Sequence, residues 1–149
     1  MRAEVGFGPE RLGWLPDRVR AAVDQVLDEL GLAPLAGRHP YDLPGPTRRL
    51  VAFAAALVAN PQLLILDEPT AGMSVDDVPV VLDLIRALKA QRNKTILLVE
   101  HKMDVVRELA DRIIVLHNGQ LVADGEPEAV IASPVVQNAY LGVSTEEPA

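Results

Sequence analysis

The chain has 149 residues, the size of one domain or part of one, and 49% of them are hydrophobic, which is enough for a buried core. Its formal net charge of -7 argues against general nucleic-acid binding, and the absence of cysteine excludes disulfides and zinc–thiolate sites. The longest apolar stretch, residues 50–59, is too short to cross a bilayer, so we expect any membrane role to come through a partner.

The first part of the chain alternates predicted loops with predicted helices. Glycine and proline are frequent over residues 1–16, which favours a loop. A helix with one apolar stripe follows, and Gly31 suits its C-terminal cap. After a second predicted loop over 33–46, Thr47 is expected to cap a helix over 48–59. That helix is apolar almost all round, so we expect it to be buried.

A short apolar run at residues 63–66 ends in Asp67, Glu68 and Pro69. The run predicts a strand buried on both faces, and Pro69 should end it because proline cannot donate to a ladder. The two carboxylates would then lie at the carboxyl edge of a parallel sheet, where α/β proteins bind ligands.

The following elements alternate in the order of a parallel α/β layer. A helix to about residue 90 precedes a second predicted buried strand over 95–99, which ends in Glu100 and His101. Another helix is expected over 103–110. Adjacent parallel strands joined by one crossover helix bring their carboxyl ends together, so we expect Asp67, Glu68 and His101 to meet at one edge.

The last part of the chain predicts an antiparallel hairpin and two short helices. Asn118-Gly119 lies between two apolar runs, which is the sequence preference of a type I′ turn. The helices are predicted near 126–132 and 134–141, and the residues from 143 to 149 are expected to form a loose tail.

From the residues alone, Asp67 and Glu68 have two interpretations. They form either a metal ligand beside a general base, or the polar start of the helix that follows a core strand, where acids are also favoured. A histidine at the matching end of the neighbouring strand favours the first interpretation.

These motifs resemble the ATP-binding domains of ABC transporters. Residues 63–70 (LLILDEPT) are similar to the family's Walker B segment, residues 71–74 to its D-loop, and Val99-Glu100-His101 to its switch-histidine strand. The resemblance implies that Asp67 holds Mg²⁺ through water, that Glu68 is the general base for ATP hydrolysis, and that His101 contacts the γ-phosphate.

The family's phosphate-binding loop is not found in this sequence. That loop reads Gly-x-x-x-x-Gly-Lys followed by Ser or Thr, and none of the three lysines, Lys89, Lys94 and Lys102, follows a glycine. The resemblance therefore implies the C-terminal portion of such a domain. It comprises part of the helical subdomain (1–60), part of the catalytic core (61–142) and a tail (143–149). We expect the isolated chain neither to bind ATP tightly nor to hydrolyse it.

A second departure lies in the signature motif, which is Leu-Ser-Gly-Gly-Gln in the family and Leu43-Pro44-Gly45-Pro46-Thr47 here. Pro44 removes the serine hydroxyl, and each proline removes an amide donor. Gly45 alone remains as a ligand of the partner subunit's ATP. A helix start without phosphate contact is the favoured interpretation.

The resemblance also implies partners and a location. The expected partners are a second ATPase subunit and transmembrane permease subunits, and no nucleic acid is expected. The expected location is the cytoplasmic face of the plasma membrane. Residues 133–142 resemble branched-chain amino-acid importers, whereas residues 5–11 and 39–44 resemble energy-coupling-factor importers of vitamins or metals. We predict the branched-chain type, with energy-coupling-factor import as one alternative. A truncated module that binds a partner ATPase without catalysis is the other.

Overall fold

The computed structural model describes residues 1–141, which form two compact units that divide between Val99 and Glu100. The first unit contains four helices and two strands. They are α1 (Arg2–Arg11), α2 (Pro16–Glu29), α3 (Gly45–Leu57), β1 (Leu63–Asp67), α4 (Val78–Ala90) and β2 (Thr95–Val99). Two single 3₁₀ turns, Ala33–Leu35 and Pro40–Asp42, connect α2 to α3.

The first residues form a helix, so the loop predicted over 1–16 was wrong. Helix α1 contains Gly6, Gly8 and Pro9, yet it packs against α2 and α3. Val5 is fully buried, and a Cβ placed on Gly6 would lie 3.1 Å from a methyl group of Val19. Close packing on α2 thus outweighs the low helix propensity of glycine, which is a cost of about 1 kcal/mol per residue.

Helix α2 has the apolar stripe that the sequence predicted. Its buried residues are Val19, Val23, Val26 and Leu27. Gly31 lies just past its end at φ 66°, and the Leu32 N–H donates to the carbonyl of Leu27 at 2.7 Å. This is the left-handed C-terminal cap expected from the glycine.

Helix α3 starts at Gly45, three residues earlier than predicted, and Thr47 lies inside its first turn. Pro44 occupies the N-cap position and Pro46 the first turn, where a missing N–H costs nothing because those amides have no partner in the helix. The helix is also only partly buried, through Val51, Phe53 and Ala54.

The two strands of the first unit pair in parallel across the α4 crossover, as predicted. Leu63 pairs with Thr95, and the register continues to Asp67 opposite Val99. Helix α4 buries one stripe of its surface, which comprises Val81, Leu82, Ile85 and Leu88.

The strands are not buried on both faces, so that part of the prediction was wrong. Leu64 and Leu66 are buried, but Leu63 and Ile65 on the other face of β1 are 52% and 61% exposed. Leu97 and Val99 on the same face of β2 are each 49% exposed. In the described part of the chain this sheet has two strands and one covered face.

The second unit is built on the predicted hairpin. Its elements are α5 (Met103–Leu109), β3 (Ile113–His117), β4 (Gln120–Gly125), α6 (Pro127–Ile131), α7 (Pro134–Val136) and one π-turn at Gln137–Leu141. The strands pair antiparallel, and Asn118 and Gly119 both have positive φ, at 51° and 75°, as a type I′ turn requires. The tail predicted over 143–149 lies outside the described residues.

Candidate functional site

Asp67 and Glu68 lie at the carboxyl edge of the parallel sheet, where the sequence placed them. Asp67 is the last residue of β1 and pairs with Val99. The Glu68 N–H then donates to the Val99 carbonyl at 2.9 Å, which extends the ladder by one bond. Both residues are exposed, so their carboxylates are accessible to a ligand at this edge.

Glu68 has a left-handed backbone, at φ 43°. The following Pro69 and Thr70 are buried, and the Ala71 N–H closes the turn by donating to the Glu68 carbonyl at 3.0 Å. A residue with a Cβ in this region is strained, and such strain persists only where surrounding contacts overdetermine it. The anchored turn supplies those contacts.

The loop after this turn continues to the start of α4. Gly72 has φ 68°, where a side chain would be strained. The Ser74 hydroxyl donates to the Asp77 carboxylate at 2.6 Å, just before α4 begins. Ser74 occupies the D-loop position at which many members of the resembled family carry aspartate.

A cleft of about 390 Å³ separates the start of α3 from this loop. Gly45, Pro46, Arg48 and Arg49 line one side, and residues 72–74 line the other. A Cβ added to Gly45 would meet no atom within 4 Å, so the glycine leaves open space here. Gly45 and the loop after β1 therefore border the same cleft.

The Arg49 side chain connects α3 to the turn that precedes this loop. The guanidinium of Arg49 donates from Nη2 to the carbonyl oxygen of Ala71 at 2.7 Å. The bond joins α3 to the turn that begins at Glu68, and both residues are half-buried.

His101 is the second residue of the second unit and lies two residues after the end of β2. Its side chain is 61% exposed. The neighbouring Glu100 side chain is buried, and its Oε2 accepts the N–H groups of His101 and Lys102 at 3.1 and 3.3 Å. Glu100 therefore fixes the backbone that carries His101, while the catalytic role of His101 stays a prediction.

Within residues 1–141, no three histidine or acidic side chains cluster as a metal site would require. Mg²⁺ commonly uses one or two carboxylates and completes its coordination with water and phosphate oxygens. Asp67 is an exposed carboxylate at the sheet edge, which fits a metal that arrives with a nucleotide.

The sequence pattern of the ABC transporter family matches residues 4–71, which include most of α1, all of α2, α3 and β1, and the Asp67–Glu68 pair. A nickel import ATP-binding protein, NikO of Rhodobacter capsulatus, is 37% identical over 131 residues. This chain belongs to the ABC transporter ATP-binding family. A second member, the energy-coupling factor transporter ATP-binding protein EcfA2 of Clostridium tetani, is 35% identical over 129 residues.

Two solved ABC structures share the fold at 30% identity or more. The ADP conformation of MJ1267, an ATP-binding cassette of an ABC transporter, has a TM-score of 0.74 at 32% identity over 87% of this chain. The structure of cbiO1 from Clostridium perfringens, part of the ABC transporter complex cbiONQ, has a TM-score of 0.75 at 30% identity over 92% of it. The α/β ABC ATPase fold predicted from the sequence is thus confirmed.

The chain spans about half the length of these ABC proteins. It covers 52% of the nickel importer subunit and 45% of the energy-coupling factor subunit, while the matches take up 87% and 85% of this chain. The covered shares of the two structures are 53% and 55%.

No helix in the described part of the chain has both the length and the apolar character to cross a membrane.

Two site features were not predicted from the sequence. The Arg49–Ala71 bond joins residues 22 positions apart, and no local pattern signals it. The left-handed backbone of Glu68 was also missed, although Pro69 is a partial signal because a residue before proline is disfavoured in the right-handed α region.

Proposed function

We propose that this chain carries the hydrolytic edge of the ATPase subunit of an ABC importer. The observation that carries the proposal is the Asp67–Glu68 pair, exposed at the end of β1 and followed by an anchored turn. Family membership adds the reaction class, and the ATP-binding names of the relatives agree with it.

In this proposal Glu68 acts as the general base. It accepts a proton from a water molecule as the water oxygen bonds to the γ-phosphorus of ATP and the bond from that phosphorus to the bridging oxygen breaks, which releases ADP. Asp67 would hold Mg²⁺ through water, and the metal would supply positive charge that neutralises the phosphate oxygens. His101 would contact the γ-phosphate and orient the attacking water.

The signature segment argues for an altered contact with the second ATPase subunit. Pro44 and Pro46 supply no N–H groups, and the Arg48 N–H is already bonded to the Pro44 carbonyl at 2.9 Å. In this proposal Gly45 alone remains as a ligand of the partner's nucleotide. Loss of hydrogen bonds to a charged group costs about 1.5–3 kcal/mol each, so we propose weak ATP-dependent dimerisation.

The remaining partners are permease subunits at the cytoplasmic face of the plasma membrane. The names of the relatives include nickel, energy-coupling-factor and methionine transport. They give no support to a branched-chain amino acid, which rests on the sequence of residues 72–73, 99–103, 123–127 and 133–142. Uptake of labelled nickel and labelled leucine, compared in cells with and without the gene, distinguishes the two solutes.

The test is ATP hydrolysis by the protein produced with the sequence encoded directly upstream of Met1 and with its permease partners. Glu68→Gln should lower kcat by about 10²- to 10⁴-fold, the usual contribution of a general base. Glu10→Gln, which removes an exposed carboxylate on α1, is the control and should retain the full rate. Equal rates for wild type and Glu68→Gln would exclude the proposed role.

The alternative function is a module that binds a partner ATPase without catalysis, and the two prolines of the signature favour it. Calorimetric titration of the 149-residue chain with Mg-ATP addresses it directly. This alternative assumes that the chain does not hold ATP tightly, because its sequence has no Gly-Lys phosphate loop. Tight binding of Mg-ATP by the chain alone would therefore contradict it.

A further inference from the structure

Arg49, on the α3 side of the cleft, is hydrogen-bonded to the turn that precedes the loop on the other side. Its Nη2 lies 2.7 Å from the Ala71 oxygen, so the bond is short and charge-assisted. Such bonds are about twice as strong as neutral ones, and half-burial of both residues reduces competition from water.

Both backbone polar groups of Ala71 are hydrogen-bonded. Its carbonyl accepts from Arg49, and its N–H donates to the Glu68 carbonyl at 3.0 Å. Ala71 therefore connects α3 to Glu68 through two hydrogen bonds. Glu68 itself keeps a left-handed backbone that needs outside support.

We propose that Arg49 is a positioning residue that couples α3 to Glu68 through Ala71. A displacement of α3 would move the Ala71 carbonyl and, with it, the turn that sets the Glu68 carboxylate. This coupling rests on the proposed function, because it matters for hydrolysis only if Glu68 is the general base. It identifies a residue outside the signature and Walker B segments as a determinant of the hydrolytic rate.

Arg48 supplies a matched control for the bond itself. It is the next residue on α3, carries the same charge and is exposed, and within residues 1–141 its side chain makes no hydrogen bond or ion pair. Replacement of either arginine by alanine removes one positive charge from α3, but only Arg49→Ala removes the link to Ala71.

The first experiment measures amide hydrogen exchange in the 149-residue chain. Arg49→Ala should speed exchange at the Ala71 amide about tenfold or more, since the bond to a charged donor is lost. Arg49→Lys should restore part of the protection, and Arg48→Ala should leave it at the wild-type level. Wild-type protection of Ala71 in Arg49→Ala would overturn the coupling.

The second experiment measures kcat and KM for ATP in the assembled transporter. Arg49→Ala should lower kcat about tenfold with an unchanged KM, and Arg49→Lys should recover part of the lost kcat. Arg20 is an exposed arginine on α2, and Arg20→Ala should retain the wild-type kcat. Wild-type kcat in Arg49→Ala, with Glu68→Gln inactive, overturns the coupling alone. Wild-type activity in Glu68→Gln overturns the proposed function and the coupling to Glu68 with it.

Discussion

Glu68 combines an exposed carboxylate with an unfavourable backbone. At φ 43° its Cβ lies close to the backbone, a conformation that costs about 1–2 kcal/mol for residues other than glycine, and less for asparagine. The cost is tolerated because the Glu68 N–H and carbonyl are both bonded, to Val99 and to Ala71.

Glu68→Asn should therefore raise the free energy of unfolding of the chain by about 1 kcal/mol, because asparagine adopts the left-handed region more readily. Urea denaturation followed by circular dichroism measures the change. Glu68→Gln keeps the strained backbone with a neutral side chain and should match the wild type. Equal stability of the Asn and Gln variants would show that the backbone stores no strain.

At the scale of elements, the strands, the crossover helix and the hairpin follow from local sequence, whereas α1 does not. Asn118-Gly119 has the φ angles of its turn type, and β1 and β2 end within one residue of their predicted limits. Helix α1 exists because Val5 and Gly6 pack on α2, and a local pattern rich in glycine cannot report that contact.

The hairpin carries a bidentate ion pair that responds to pH. Arg112 donates from Nε and Nη2 to the two carboxylate oxygens of Asp124 at 2.7 and 2.8 Å. The hydrogen bonds from Arg112 lower the pKa of Asp124 below its usual value of 3.8. A lowered folded-state pKa stabilises the hairpin above the unfolded-state pKa, and this contribution is lost as pH falls through the folded-state pKa.

We therefore expect the stability of the second unit to fall in acid, below about pH 4, partly through Asp124. Asp124→Asn should remove that part of the pH dependence while leaving other carboxylates to titrate. Thermal melts of wild type and variant between pH 2 and 6 measure the difference, which should vanish at the acid end. Parallel curves across the whole range would contradict the contribution of this pair.

At the scale of the whole molecule, the exposed face of the β1–β2 sheet is the most consequential surface. Leu63, Ile65, Leu97 and Val99 form a contiguous apolar patch on paired strands. Exposed apolar sheet faces and open strand edges promote association. The isolated chain should therefore self-associate or precipitate as its concentration rises.

Ile65→Thr combined with Leu97→Thr should lower this association, because the paired residues lie at the centre of the patch and threonine retains strand propensity. Light scattering against concentration measures the effect. Val75→Thr, which changes an 88% exposed apolar residue outside the sheet, is the control and should behave as the wild type. Equal scattering from the double variant and the control would show that another surface drives association.

The sequence by itself determined the order of elements, the parallel pairing, the hairpin turn and the position of Asp67 and Glu68 at a sheet edge. These features depend on periodicity, turn chemistry and proline, which act over a few residues. Only the tertiary structure decided that 1–16 contains a helix, that one face of each strand is exposed, and that Arg49 reaches Ala71. Those features depend on which surfaces meet, and contacts between distant residues leave no local pattern in the chain.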